Sequence, residues 1–169
     1  MRWEEGRWRN NLPRMDLDAV DVAILSVLQH DGRITNAELA DRVNLSPSAT
    51  LRRTRALEDA GVIDGYVALI GAAAVGRPTS VFVEISLSSQ REDELDAFEA
   101  AIRETPEVME CHLMAGDADY LVKVQCADVA DYERIHRQYL AVLPGVTRVR
   151  TSFALRTVLA TTALDLEPD

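Results

Sequence analysis

Only two cysteines occur in the 169 residues, Cys111 and Cys126. That is too few for a disulfide framework, so stability has to come from apolar packing. No uninterrupted apolar run approaches the roughly 20 residues of a membrane-spanning helix. Residues 1–14 carry charges with no apolar stretch behind them, which is not the pattern of a secretory signal. Cys-x-x-Cys, His-x-x-x-His and a glycine-rich phosphate loop are all missing. Cys111 and His112 are adjacent in a predicted strand and so point to opposite faces. No nucleophile stands at a motif spacing from a base. A cytoplasmic protein fits these absences, with no membrane partner, metal, cofactor or catalytic residue expected.

Net positive charge is also lacking, the formal total being −10. Nucleic-acid binders usually carry a basic domain, so the total argues against one. The sign changes along the chain, however. Residues 1–15 hold four Arg against two Glu, net +2, while residues 16–65 are at −4 and 66–169 at −8. Inside the middle segment, Arg52, Arg53 and Arg55 fall within four consecutive positions. An acidic chain can still present one basic edge.

Apolar residues make up 47% and charged residues 27%, near the averages for globular domains, and the length allows a small domain plus a medium one. From 16 to 63 the apolar period is helical. Asp18, with Asp21 three residues on, reads as an N-cap before Val20, Ile24, Val27 and Leu28. Asp31-Gly32 is expected to end that helix, with Gly in a left-handed cap. Thr35 and Glu38 form a capping box that opens a second, short helix. Ser46-Pro47 starts a third, and Gly61 closes it. Asn44 sits in the intervening turn, where a left-handed backbone is needed. A short helix, a tight turn and a longer helix make a helix-turn-helix; the plainer alternative is a generic three-helix bundle.

Beyond Gly61, residues 62–70 read as a short strand or wing and 72–78 as a small-residue connector. The period then changes to two, with Val81, Val83, Ile85 and Leu87 alternating against Phe82, Glu84, Ser86 and Ser88. An amphipathic helix over 92–105 carries Leu95, Phe98 and Ile102 on one face. Strands over 108–115 and 120–126 flank the 116–119 turn as a hairpin. Residues 128–143 are helical and 146–159 form a long last strand. The order β-α-β-β-α-β is a ferredoxin-like split unit, so the fold class is α+β. The domain boundaries follow: a loose extension at 1–15, a winged helix-turn-helix at 16–65, a linker strand and connector at 66–78, a sensing domain at 79–160 and a loose acidic tail at 161–169.

The third helix suggests its own use. At about 100° per residue, Thr50, Thr54 and Leu57 share an arc that has to face the other helices. The opposite arc holds Ser48, Arg52 and Arg55. A recognition helix sets its N-terminal turns against base edges in the major groove, and Arg pairs bidentately with guanine. Arg53 projects sideways and suits a phosphate, as do the Ser46 hydroxyl and the first-turn N–H groups. The plainer alternative is a solvated arginine face.

These residues resemble a known family. Leu17-Asp18, Asp21, Ile24-Leu25, Asp31-Gly32-Arg33, Leu45-Ser46-Pro47-Ser48, the run from Leu51 to Glu58, and Gly61-Val62-Ile63-Asp64-Gly65-Tyr66 are similar to the leucine-responsive/asparagine-responsive (Lrp/AsnC) feast-famine regulators. So are Phe82-Val83-Glu84-Ile85, Glu110-Cys111-His112-Leu113, Gly116-Asp117-Ala118-Asp119-Tyr120-Leu121 and Leu143-Pro144-Gly145-Val146. The match runs over about 15–160 in order and spacing. It implies double-stranded DNA as a partner, a sensing domain that dimerises and often builds octamers, and an amino acid or related metabolite as effector. Thr50 and Thr54 depart from the more apolar residues usual there. Met15-Asp16-Leu17-Asp18 resembles an ordinary family start, which leaves the first 14 residues as an upstream extension.

The 116–119 turn is the candidate effector site. Gly116 leaves room for close approach. Asp117 and Asp119 would take an ammonium, turn N–H groups a carboxylate, and Tyr120 would form an aromatic wall. His112 and Met114 would shape the side-chain end. A plain hairpin turn is the alternative, since Gly and Asp are default turn residues. A turn centred on Asp117-Ala118 pairs Leu113 with Val122 and Cys111 with Val124. It sets Cys111, Leu113, Tyr120, Val122 and Val124 on the buried face. His112, Met114, Leu121, Lys123 and Gln125 then share the other, a candidate dimer surface with Phe82 and Glu84. The function expected is a sequence-specific transcription regulator. The alternatives are an architectural DNA-binding protein without a ligand, and a small metabolic enzyme on a ferredoxin-like fold.

Overall fold

The computed structural model describes residues 16–166. The expected N-terminal extension and the last three residues of the tail lie outside that range. Within it the chain forms two units, one of residues up to 68 together with 159 onward, the other of residues 69–158.

In the first unit, α1 spans Ala19–Leu28, α2 Asn36–Arg42 and α3 Pro47–Asp59. Local chemistry sets each start. The Asp18 carboxylate accepts the N–H groups of Val20 and Asp21, and Asp21 reaches back to close a capping box. Thr35 and Glu38 do the same for α2. Ser46 accepts the N–H of Ala49 with Pro47 behind it, opening α3. Asn44 takes the left-handed backbone of the turn, at φ 54°. Gly61, at φ 71°, ends α3. There the Val62 N–H donates to Leu57 O at 2.9 Å and the Gly61 N–H to Glu58 O at 3.0 Å, a Schellman closure. Ile24, Leu25, Leu39 and Leu57 form the core between the helices.

Two expectations fail here. First, α1 ends at Leu28 with Gln29 as a right-handed C-cap, ahead of Asp31-Gly32, and Gly32 is not left-handed. Its lack of a side chain serves packing: a Cβ at Gly32 would stand 3.2 Å from the Tyr66 ring. Second, of the expected strand or wing, residues 64–71 form no strand. Val67, Leu69 and Ile70 are left exposed.

The second unit is a four-stranded antiparallel sheet. β1 (Thr79–Leu87) leads to α4 (Glu92–Arg103), then β2 (Val108–Leu113), β3 (Tyr120–Cys126), α5 (Val129–Gln138) and β4 (Val146–Phe153). The order across the sheet is β2-β3-β1-β4, the ferredoxin-like arrangement. Period-two alternation in β1 and β3 sets Val81, Val83, Ile85, Tyr120, Val122 and Val124 inside, against Phe98 and Ile102 of α4 and Tyr132 and Ile135 of α5. The other face carries Phe82 and Glu84, both exposed.

The hairpin register is shifted by two from expectation. Leu113 faces Tyr120 and Cys111 faces Val122, so the turn is centred on Gly116-Asp117. The Met114 N–H donates to Asp119 O at 2.8 Å and closes it. A shift of two preserves which residues share a face, but Leu113, expected on the buried face, is 59% exposed at the hairpin end. The helix expected to reach 143 stops at Gln138, followed by a single 3-10 turn, Leu140–Val142. β4 ends at Phe153, opposite Val81 and short of the expected 159; the Ala154 N–H adds one last bond to Ser80 O at 3.0 Å.

Candidate DNA interface and effector turn

The face of α3 is set by what it buries. Thr50 is fully buried and Leu57 nearly so. The Thr50 hydroxyl is accommodated by donating to Ser46 O at 3.1 Å. The Thr54 hydroxyl has no partner among the described residues, a local cost of placing a polar atom there. On the far side, Ser46, Ser48, Arg52 and Arg55 are exposed. Ser46 and Ser48 bring their hydroxyls within 3.2 Å of each other at the N-terminus of α3. The helix dipole and free N–H groups make that end favourable for an anion. Neither Arg52 nor Arg55 has an ion-pair partner among the described residues.

Arg53 departs from the expected phosphate contact. Its Nη1 donates to Asp18 Oδ2 at 2.8 Å and to Asp21 Oδ1 at 2.7 Å. The two carboxylates that cap α1 thus also hold α3. Asp21 and Asp18 raise the guanidinium's affinity for its proton. The Asp21 N–H and then Arg53 hold the Asp18 carboxyl below the usual carboxylate range. Sequence reasoning read Asp18 and Asp21 only as caps; the available signal was their position in the first turn of a helix that has to pack against a basic one. Tyr66 adds a second brace, its hydroxyl donating to Glu58 Oε1 at 3.0 Å. Burial and that carboxylate push the Tyr66 phenol up to about 12.

The effector candidates divide into two groups. Gly116 and Asp117 are exposed at the tip of the turn. Met114 is exposed on the same hairpin, and His112 lies on the open sheet face, 3.5 Å from Glu110 Oε2. Asp119 and Tyr120, by contrast, face inward. The Asp119 carboxylate accepts the Leu87 N–H at 2.7 Å and the Gln90 amide at 2.5 Å. Both of its oxygens are therefore used in tying the hairpin to the loop after β1. Tyr120 is 1% exposed, stacks on Phe98 at a centroid distance of 4.3 Å and donates its hydroxyl to Glu99. It is a core residue and presents no wall to the turn; the even-odd alternation of β3 dictates this.

The cysteines are poor nucleophiles in this setting. Burial pushes the Cys111 thiol up to about 12, and burial raises Cys126 also. Among the described residues no group of three or more His, Cys, Asp or Glu is placed to hold a metal ion. None of the described helices is long and apolar enough to cross a membrane.

A family model for winged helix-turn-helix DNA-binding domains matches residues 17–64, and one for the Lrp/AsnC ligand binding domain matches residues 80–164. The chain belongs to the Lrp/AsnC family. It is 42% identical over 151 residues to the leucine-responsive regulatory protein of Haemophilus influenzae, covering 89% of this chain and 91% of that one. The Salmonella typhimurium protein of the same name is 43% identical over 146 residues, covering 86% and 89%. Among solved structures, a Neisseria meningitidis transcriptional regulator in complex with L-Met superposes with a TM-score of 0.84 at 38% identity, covering 89% of this chain and 97% of that one. An AsnC family transcriptional regulator from Agrobacterium tumefaciens gives 0.85 at 35% identity, with the same coverage. This Lrp/AsnC chain is accordingly a transcription regulator with a helix-turn-helix that binds DNA and a ligand-binding domain on a ferredoxin-like fold.

Proposed function

We propose that this Lrp/AsnC regulator is a cytoplasmic, non-catalytic homo-oligomer. It reads its operator with α3, and its assembly or DNA affinity responds to an amino acid or a closely related metabolite. The observation that carries the DNA assignment is the exposed arc of Ser46, Ser48, Arg52 and Arg55 on a helix held from behind by caps and carboxylates. Arg52 and Arg55 donate to base edges, with guanine O6 and N7 the best geometric match. The Ser46 and Ser48 hydroxyls and the first-turn N–H groups take a phosphate. Arg53 acts as a positioning residue that fixes the angle of α3 on α1.

The effector assignment draws on the L-Met complex of the Neisseria relative and on the chemistry of the turn. A free amino acid needs both charged ends compensated when it leaves water. Asp117 receives the ammonium, N–H groups beside Gly116 receive the carboxylate, and His112 and Met114 border the side chain. Asp119 and Tyr120 keep the turn in shape from inside. A second subunit closes the pocket, which couples occupancy to assembly. The sheet face with Phe82 and Met114 serves as the dimer contact, and octamers can be built from such dimers.

Calorimetric titration with L-methionine and a panel of other amino acids tests this reading. Asp117→Ala is expected to abolish the binding heat of whichever amino acid binds the parent chain, with effector-free DNA affinity unchanged. Undiminished affinity in that variant would move the site elsewhere. DNA binding that answers to no amino acid would favour the architectural alternative.

A further inference from the structure

The chain leaves the DNA-binding unit after residue 68 and returns to it at 159. Residues 154–166, after β4, contain no helix or strand. Chain ends of this kind ordinarily stay in water. This one does not. Gln29, the C-cap of α1, meets the backbone of Leu164 in both directions. Its Nε2 donates to the Leu164 carbonyl at 3.2 Å, and its Oε1 accepts the Leu164 N–H at 2.6 Å. One side-chain amide satisfying both backbone groups of one residue imitates the pairing of neighbouring strands.

Two residues further on, Leu166 packs against the cluster of Ile24, Leu25, Leu39 and Leu57. The seat is selective. Leu155 is 100% exposed, Val158 85%, Leu159 81% and Leu164 74%, while Leu166 is partly buried. Non-specific collapse of an apolar tail would cover these side chains alike. The cluster it joins is the one through which α3, by Leu57, rests on α1 and α2.

We infer that α1 carries a docking site for the C-terminal segment of its own chain, residues 163–166. On this inference the segment is a fourth packing element of the helix-turn-helix rather than the loose tail its composition suggests. Two chain connections then tie the DNA-binding unit to the sensing domain, one between α3 and β1 and one after β4.

The test uses the full chain with Cys111→Ser, carrying His30→Cys and Leu164→Cys so that the Gln29 amide and the Leu164 backbone are kept, treated with a short bis-maleimide. The inference expects a link within one chain, seen as a faster-migrating monomer on a denaturing gel. A covalent dimer would seat the tail on a second copy, and no link at all would leave it unseated; either result overturns the inference. In the otherwise intact chain, Leu166→Asp is expected to speed hydrogen exchange at the Ile24 and Leu25 amides about tenfold, leaving the Val83 and Val122 amides unchanged. Equal exchange at Ile24 and Leu25 with and without the substitution also overturns it. Neither readout involves DNA or effector, so failure here is distinguishable from failure of the regulatory reading.

Discussion

Among the described residues, thirteen buried side chains, Phe98, Tyr120, Ile135 and Leu140 among them, make the core under the sheet, whereas four, Ile24, Leu25, Leu39 and Leu57, make the buried centre of the helical unit. At roughly 1.5–3 kcal/mol for each fully buried large apolar side chain, the sheet unit stands on burial. The helical unit cannot. It adds two capping boxes, an N-cap with proline, a Schellman closure and a two-carboxylate clamp on Arg53. The difference suits the division of labour. A sheet with a deep core is a stable platform for the turn proposed to take the effector. A helical unit held by polar contacts keeps α3 oriented while leaving its outer arc free for DNA.

Breaking each kind of support separates the two units. The largest effect is expected from Phe98→Ala, which empties the middle of the sheet core and removes the partner of the Tyr120 ring. It should cost roughly 3–5 kcal/mol, read from urea-dependent hydrogen exchange at Val83 and Val122. A loss below about 1 kcal/mol there would mean that burial is not what holds the sheet unit. Thr35→Ala should cost about 1 kcal/mol and confine it to the helical unit, because it opens one capping box and nothing else. Equal weakening of α2 and of the sheet amides would erase the distinction between the units.

A smaller effect is expected from acid. The folded-state pKa of Asp18 lies below its ordinary value, so its contribution is complete above about pH 4 to 5 and fades as pH falls through the depressed value. Asp18→Asn keeps a capping side chain and removes the charge. The stability gap between parent and variant should therefore shrink as pH falls from 5 to 2. A gap that stays constant over that range would show that the carboxylate charge plays no part.

What was legible in the sequence follows from distance along the chain. Caps at Asp18, Thr35 and Ser46, the left-handed Asn44 and the Gly61 closure all involve residues within about one helical turn, and each was read correctly. The alternation of β1 and β3 was legible because burial on one face imposes a period of two. Contacts between distant segments left no local trace. Arg53 and Asp18 are 35 residues apart, and Gln29 and Leu164 are 135 apart. The sequence alone therefore suggests a phosphate contact for Arg53 and a loose tail at 161–169, and neither the Asp18 nor the Gln29 contact can be read from it. In the hairpin, Gly and Asp at four neighbouring positions fit more than one turn centre, which is how the register came out two residues off. Asp119 and Tyr120 were assigned to the effector because the motif was read as one surface; Asp119 caps the loop after β1 from inside, and the alternation of β3 sends Tyr120 into the core.

Adjacent arginines on α3 are proposed to do different work: Arg53 meets Asp18 and Asp21, and Arg52 is left to meet the duplex. The salt dependence of DNA binding tests this division most directly, measured on one operator and one unrelated duplex for the parent, Arg52→Ala and Arg53→Ala. Arg52→Ala should lose about 1–3 kcal/mol on the operator and relax the preference over the unrelated duplex. Arg53→Ala should lower the stability of the helical unit and keep the parent's slope of log K against log salt, since no phosphate contact is removed. A slope shallower by about 0.9 in Arg53→Ala, with helical stability unchanged, would make Arg53 a phosphate ligand and contradict the account.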